Sequence, residues 1–91
     1  MSISKEDSIK HIIQTHIPNA TIYVEDPYQD GEHFEAIVIS ELFETKSLVE
    51  QHRMVMQPLR GAFAESVHAL ALKTFTPAKW ETAKTQFNLP D

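Results

Sequence analysis

Near the start of the chain, Ile9, Ile12, Ile13 and His16 fall at three- and four-residue steps, the spacing of one helix face. Ser4 followed by Asp7 resembles a capping box with a shortened acid, so the pattern predicts a helix from about Ser4 to His16. Pro18 and Asn19 stop it. The period then changes. Thr21, Ile22, Tyr23 and Val24 favour a strand over Ala20 to Glu25. Asp26-Pro27-Tyr28-Gln29-Asp30-Gly31-Glu32 is a loop by composition. His33 to Ser40 reads as a strand with Phe34, Ala36 and Val38 on one face and Glu35, Ile37 and Ile39 on the other. Two strands so closely joined predict an antiparallel hairpin with a connection longer than the tightest turns.

Leu48, His52, Val55, Leu59 and Phe63 form a stripe that predicts a second helix from about Lys46 to Glu65. Pro58 sits well inside it, which calls for a kink or a local change of geometry. Val67 to Thr74 reads as a third strand, apolar on both faces and therefore expected to be central or covered. Thr76 and Pro77 supply an N-cap and a first helical residue for a short last helix carrying Trp80. Beyond about Lys84 the tail is expected to fray. The order is α-β-β-α-β-α. A hairpin plus a strand returning after a long helix gives a three-stranded mixed sheet covered on one face by helices, an α+β two-layer sandwich. Pattern alone leaves the strand order open.

Composition narrows the picture. The 91 residues, 42% hydrophobic and 23% charged, are expected to form one domain spanning 1–91 with an ordinary globular balance. There is no cysteine, so the chain offers no disulfide, no thiolate nucleophile and no thiolate metal site of its own. No stretch approaches the length of a membrane helix, and MSISKEDSIK lacks the features of a signal peptide, so a cytoplasmic location is expected. Thirteen acidic against 8 basic residues give a net charge of -5. Such a chain repels phosphate backbones on average, and no Lys/Arg cluster offsets it. Asp26, Asp30 and Glu32 make an acidic loop, but no nucleophile with a paired base and no glycine-rich phosphate loop is recognisable. An enzyme is not expected.

Three phrases, DGEHFEAIVIS, ELFETKSLVEQHRMV and VHALALKTFTPAKW, occur in order over about Val24 to Trp80. Together they resemble the BolA-like family, in particular its bacterial branch that includes the IbaG type. The resemblance implies an α-β-β-α-β core similar to the class II KH domain but without its GxxG loop. The only glycines here, Gly31 and Gly61, provide no such loop. It also implies an adaptor that binds a monothiol glutaredoxin and shares a [2Fe–2S] cluster with it, none being held alone, in iron–sulfur trafficking, iron homeostasis or stress response. The histidine of the HAL motif, His68, corresponds to the family's usual ligand. A second ligand typically comes from the loop between the first two strands. There the family's cysteine position falls at about Asp30, and the nearby imidazole is His33. The second ligand is thus open between His33 and no residue of this chain.

Each candidate also has a plainer reading. His68 could be a histidine hydrogen-bonded to backbone, and His33 a surface residue at the start of a strand. His52 lies on the apolar stripe and reads first as a core or groove residue. Arg53 matches a basic family position and is either a partner-docking residue or part of a solvated face. Met54 and Met56 fill gaps or serve an adaptable surface. Trp80 reads as a clamp of the last helix on the sheet, and His11 and His16 as solvent-facing or packing residues. Iron–sulfur clusters need four ligands, mostly thiolates. A chain with imidazoles and no sulfur therefore needs a partner to complete one. The alternative reading is a KH-like, nucleic-acid-binding transcriptional regulator, disfavoured by charge. A docking module that never ligates metal, and a homodimer without the partner, also stay open.

Overall fold

The first helix, α1, spans Lys5–His16, and the cap expected of Ser4 is present, its Oγ accepting the Asp7 N–H at 3.2 Å. The computed structural model describes residues 4–62 and 69–87. Ile9 and Ile13 are buried, and the buried stripe continues to Ile17 rather than His16. His16 is exposed, with its Nδ1 3.0 Å from the Ile12 carbonyl. Asn19, in the left-handed region at φ 61°, turns the chain into β1 (Thr21–Glu25).

β1 pairs antiparallel with β2 (His33–Ile39), Tyr23 opposite Ile37. β3 (Ala69–Phe75) pairs parallel with β2 on its other side, Phe34 opposite Leu70 and Ile39 opposite Phe75. The strand order is therefore β1-β2-β3. This corrects one expectation: β3 lies at an edge, and β2 is central. Leu70 and Leu72 pack on the core while Ala71 and Lys73 are exposed. The apolar character of β3 lies on the core-facing side, at Leu70 and Leu72, and at its end in Phe75, whose ring meets Trp80 and Phe87. Val67 and His68, expected in this strand, lie outside the described residues.

Between β2 and the second helix, Glu41–Thr45 form a 3-10 turn. It buries Phe43. The second helix, α2, begins at Leu48 and is described to Ala62; the rest of the expected span, 63–65, lies outside the described residues. Its start is two residues later than the stripe implied, because Ser47 and Glu50 form a reciprocal box. The Ser47 N–H donates to Glu50 Oε1 at 3.1 Å, and the Glu50 N–H to Ser47 Oγ at 3.2 Å. Leu48, placed on the buried stripe by its spacing, is 62% exposed. Val55 and Leu59 carry the burial instead. α2 runs on through Pro58, which deprives the Met54 carbonyl of an intrahelical donor.

One face of the sheet, with Ile22, Phe34 and Val38, packs on Ile9 and Ile13 of α1 and Val55 and Leu59 of α2 in a single core. The expected α+β two-layer sandwich with a three-stranded mixed sheet is thus present. A short third helix, α3 (Pro77–Ala83), is capped by Thr76 Oγ1, which accepts the Lys79 N–H at 3.3 Å. It does not join α1 and α2. Its Trp80 lies on the opposite sheet face, 5.3 Å from Phe75 and 6.0 Å from Tyr23 between ring centroids. The expected fraying beyond Lys84 is not found through residue 87. A 3-10 turn (Lys84–Gln86) brings Phe87 to 5.9 Å from Phe75 and 5.5 Å from Trp80.

Gln51 ties these layers together. Its Nε2 donates to the Phe43 and Lys46 carbonyls at 3.1 and 3.0 Å, and its Oε1 accepts the Thr74 hydroxyl at 2.6 Å. Thr74 is buried, so truncating Gln51 strands a hydroxyl. Gln51→Ala is expected to cost about 1–3 kcal/mol, read as a lower urea midpoint with unchanged slope; a loss below about 0.5 kcal/mol would refute the tie.

Candidate functional site

The β1–β2 loop folds on two aspartates. Asp26 accepts the Asp30 N–H at 3.3 Å and the Gly31 N–H at 3.0 Å through its two oxygens. Gly31 sits at φ +70° with open space around it, so backbone conformation rather than crowding favours glycine there. The Gly31 carbonyl accepts from Lys5 Nζ at 3.1 Å, fastening the loop to α1. Asp30 then organises the turn into β2: Oδ1 accepts the Glu32 and His33 N–H groups at 2.9 and 3.0 Å. Its Oδ2 lies 2.7 Å from His33 Nδ1.

The backbone N–H of Glu32, together with that of His33 and the imidazole, holds the Asp30 carboxyl far below its usual range. His33 is raised above its ordinary 6.5, first by the hydrogen bond to Asp30 and then by its charge. The ring is also met edge-on by Tyr28 at 5.7 Å. With Nδ1 engaged, Nε2 is the nitrogen left for a ligand, and Asp30 is the outer carboxylate that fixes the tautomer. Asp30, Glu32 and His33 are exposed and bring ligand-type atoms within 4.8 Å of one another.

His33 lies opposite Ala69 in the parallel ladder, the residue that follows His68 in the chain. His68 itself lies outside the described residues. His52 and Arg53 are elsewhere, on a groove of about 470 Å3 between α2 and β3. Met56 and Leu72 form part of its apolar lining, and Arg60 adds a second guanidinium. His52 is half-buried there, in keeping with a groove histidine. Asp30, singled out as the family's cysteine position, turns out to be the residue that holds His33. The signal was present in sequence as Asp and His three apart, but spacing within a loop does not fix geometry. Arg60 was missed because an isolated arginine carries no pattern. Trp80 is the expected clamp. No described helix is long and apolar enough to cross a membrane.

Comparison with known proteins places the chain as a whole. The profile of the BolA-like protein family matches residues 5–79. The acid stress protein IbaG of Escherichia coli K12 is 40% identical over 52 residues, covering 56% of this chain and 62% of that protein. The DNA-binding transcriptional regulator BolA of the same organism is 34% identical over 55 residues, covering 60% and 52%. The chain spans about three fifths of the length of the first curated relatives it matches. The structure of a bolA protein homologue from Coxiella burnetii superposes with a TM-score of 0.70 at 34% identity, over 89% of this chain and 99% of the other. This chain belongs to the BolA-like family.

Proposed function

We propose that the protein is a cytoplasmic adaptor that docks a monothiol glutaredoxin and contributes imidazole to a shared [2Fe–2S] cluster handled as cargo. The carrying observation is His33: an exposed imidazole held through Nδ1 by Asp30, in register with Ala69, the residue after His68. The donor set fits only part of such a site. With no cysteine in the chain, His33 and His68 supply nitrogen, and a glutaredoxin cysteine and a small-molecule thiol would supply sulfur. The cluster, when bound, supplies the electron-storing centre that is passed on. The groove beside His52 and Arg53 is the docking surface this reading assigns to the partner.

A second reading, a nucleic-acid-binding regulator, draws on the relative described as DNA-binding and on Arg53 and Arg60 beside one groove. The net charge of -5 weighs against it.

Cluster reconstitution on a mixture with a monothiol glutaredoxin, followed by visible circular dichroism, tests the adaptor. A spectrum distinct from that of glutaredoxin alone is expected, lost in His68→Ala and lost or reshaped in His33→Ala. Association with no spectral change would reduce the protein to a docking module. No association would sink the adaptor, and steep, salt-dependent binding to a defined duplex would then favour the regulator.

A further inference from the structure

β2 runs seven residues from His33 to Ile39, so its ends stand about 20 Å apart at about 3.3 Å per residue. At the Ile39 end lies a second concave surface. The turn after α1, the 3-10 turn after β2 and the start of α3 enclose a cleft of about 570 Å3. Pro18, Leu42, Pro77 and Trp80 give it apolar walls, and Glu41 and Glu81 give it charge; among the described residues no Lys or Arg lines it.

The cleft is held in shape by its surroundings. Ser40 is buried, its Oγ accepts the Leu42 N–H at 3.0 Å, and its N–H donates to the Phe75 carbonyl at 3.1 Å. Leu42 is thereby kept 53% exposed beside buried Phe43. Trp80 is braced by Phe75 and Phe87 and remains only half-buried. Glu81 takes an ion pair from Lys84 at 3.0 Å, but both side chains are largely exposed, at 68% and 47%. Such a pair exchanges readily.

We infer that this cleft docks a basic, arginine- or lysine-bearing segment of a partner protein. The long aliphatic stem of such a side chain lies along apolar surface while its head stays charged. Here Leu42 and Trp80 take the stem, and Glu41 and Glu81 flank the head. A cation near an indole face gains further attraction. The same carboxylates repel acidic ligands. They also disfavour a second copy of this chain, which carries 13 acidic against 8 basic residues. The inference goes beyond the cluster reading and does not depend on it. If both hold, two partners can be engaged at once, at opposite ends of β2.

Trp80 is the chain's single tryptophan, so its emission reports on the cleft directly. The probe is a blocked heptapeptide with two arginines, titrated into the whole protein beside the same peptide with glutamate at both positions. A saturable change is expected with the arginine peptide alone, weakening as salt is added. Glu41→Lys and Glu81→Lys, both at exposed positions, should keep the native circular dichroism and weaken binding on the order of tenfold. The inference is overturned by no saturable change, by an equal response to the glutamate peptide, or by unaltered affinity in both variants. A change that follows protein concentration without peptide makes a second copy the occupant and overturns it as well.

Discussion

Phe34→Ala is expected to cost about 3–5 kcal/mol, a large share of the stability of a domain of this size, for which about 5–14 kcal/mol is typical. Phe34 is 1% exposed and sits on the central strand, in one cluster with residues of α1, α2 and β1. The cavity left by its ring would open between three elements, and a gap that the surroundings only partly refill adds to the lost transfer free energy. Its neighbour in sequence is His33, and Lys5 Nζ lies 6.0 Å from its ring while also holding the Gly31 carbonyl. Loosening Phe34 therefore loosens both the loop and the imidazole. Urea unfolding at neutral pH measures the loss, and the 73%-exposed Tyr28 provides the contrast. Tyr28→Ala should stay within about 0.5 kcal/mol of wild type. A Phe34→Ala loss below about 1 kcal/mol would mean that the core closes around the gap.

Asp30→Asn is expected to return His33 towards its ordinary titration and to remove the charge that pairs with it. The amide keeps an oxygen for the Glu32 and His33 N–H groups, so the substitution isolates the carboxylate's charge. Because the folded pKa of His33 is raised above 6.5, its contribution to stability is complete below that value. It fades as pH rises through the folded pKa. Asp30 works in the opposite direction: its folded pKa lies below the usual 3.8, so its contribution is present above that value and fades on acidification. The pair is therefore fully formed in mildly acidic solution. The difference in urea midpoint between wild type and Asp30→Asn should be larger at about pH 5 than at about pH 9. Proton NMR of the His33 ring reads the pKa directly, and an unchanged value in Asp30→Asn would refute the pairing. Under the adaptor reading, a proton and a metal compete for His33, since a protonated imidazole cannot ligate. Asp30 thus orients the ligand while favouring its protonated form.

Local chemistry was legible in the sequence where neighbours in the chain decide the outcome. The Ser4 and Thr76 caps, the stop at Pro18, the alternation of Phe34, Ala36 and Val38, and the loop from Asp26 to Glu32 all depend on residues a few positions apart. The Ser47–Glu50 box was equally local. It was missed because the apolar residue Leu48 drew the helix start too early. The family phrases supplied the likeness and named His68 and Arg53, and the absence of cysteine determined that any cluster would need outside sulfur.

Contacts between distant segments were decided by the tertiary structure. Periodicity tells which face of a strand is apolar but not which neighbour it pairs with. The edge position of β3, and the register that sets Ala69 against His33, emerged only when β3 paired parallel to β2. The same holds for Trp80, which meets Tyr23 across 57 positions of sequence, and for the acidic cleft at the far end of β2. Asp30 and His33 were visible as letters three apart; their 2.7 Å contact required the turn that Asp26 and Gly31 impose. Sequence determines local propensity because short-range sterics and hydrogen bonds act within a few residues. Strand order, register and clefts belong to the folded chain because they are set by burial shared among segments far apart.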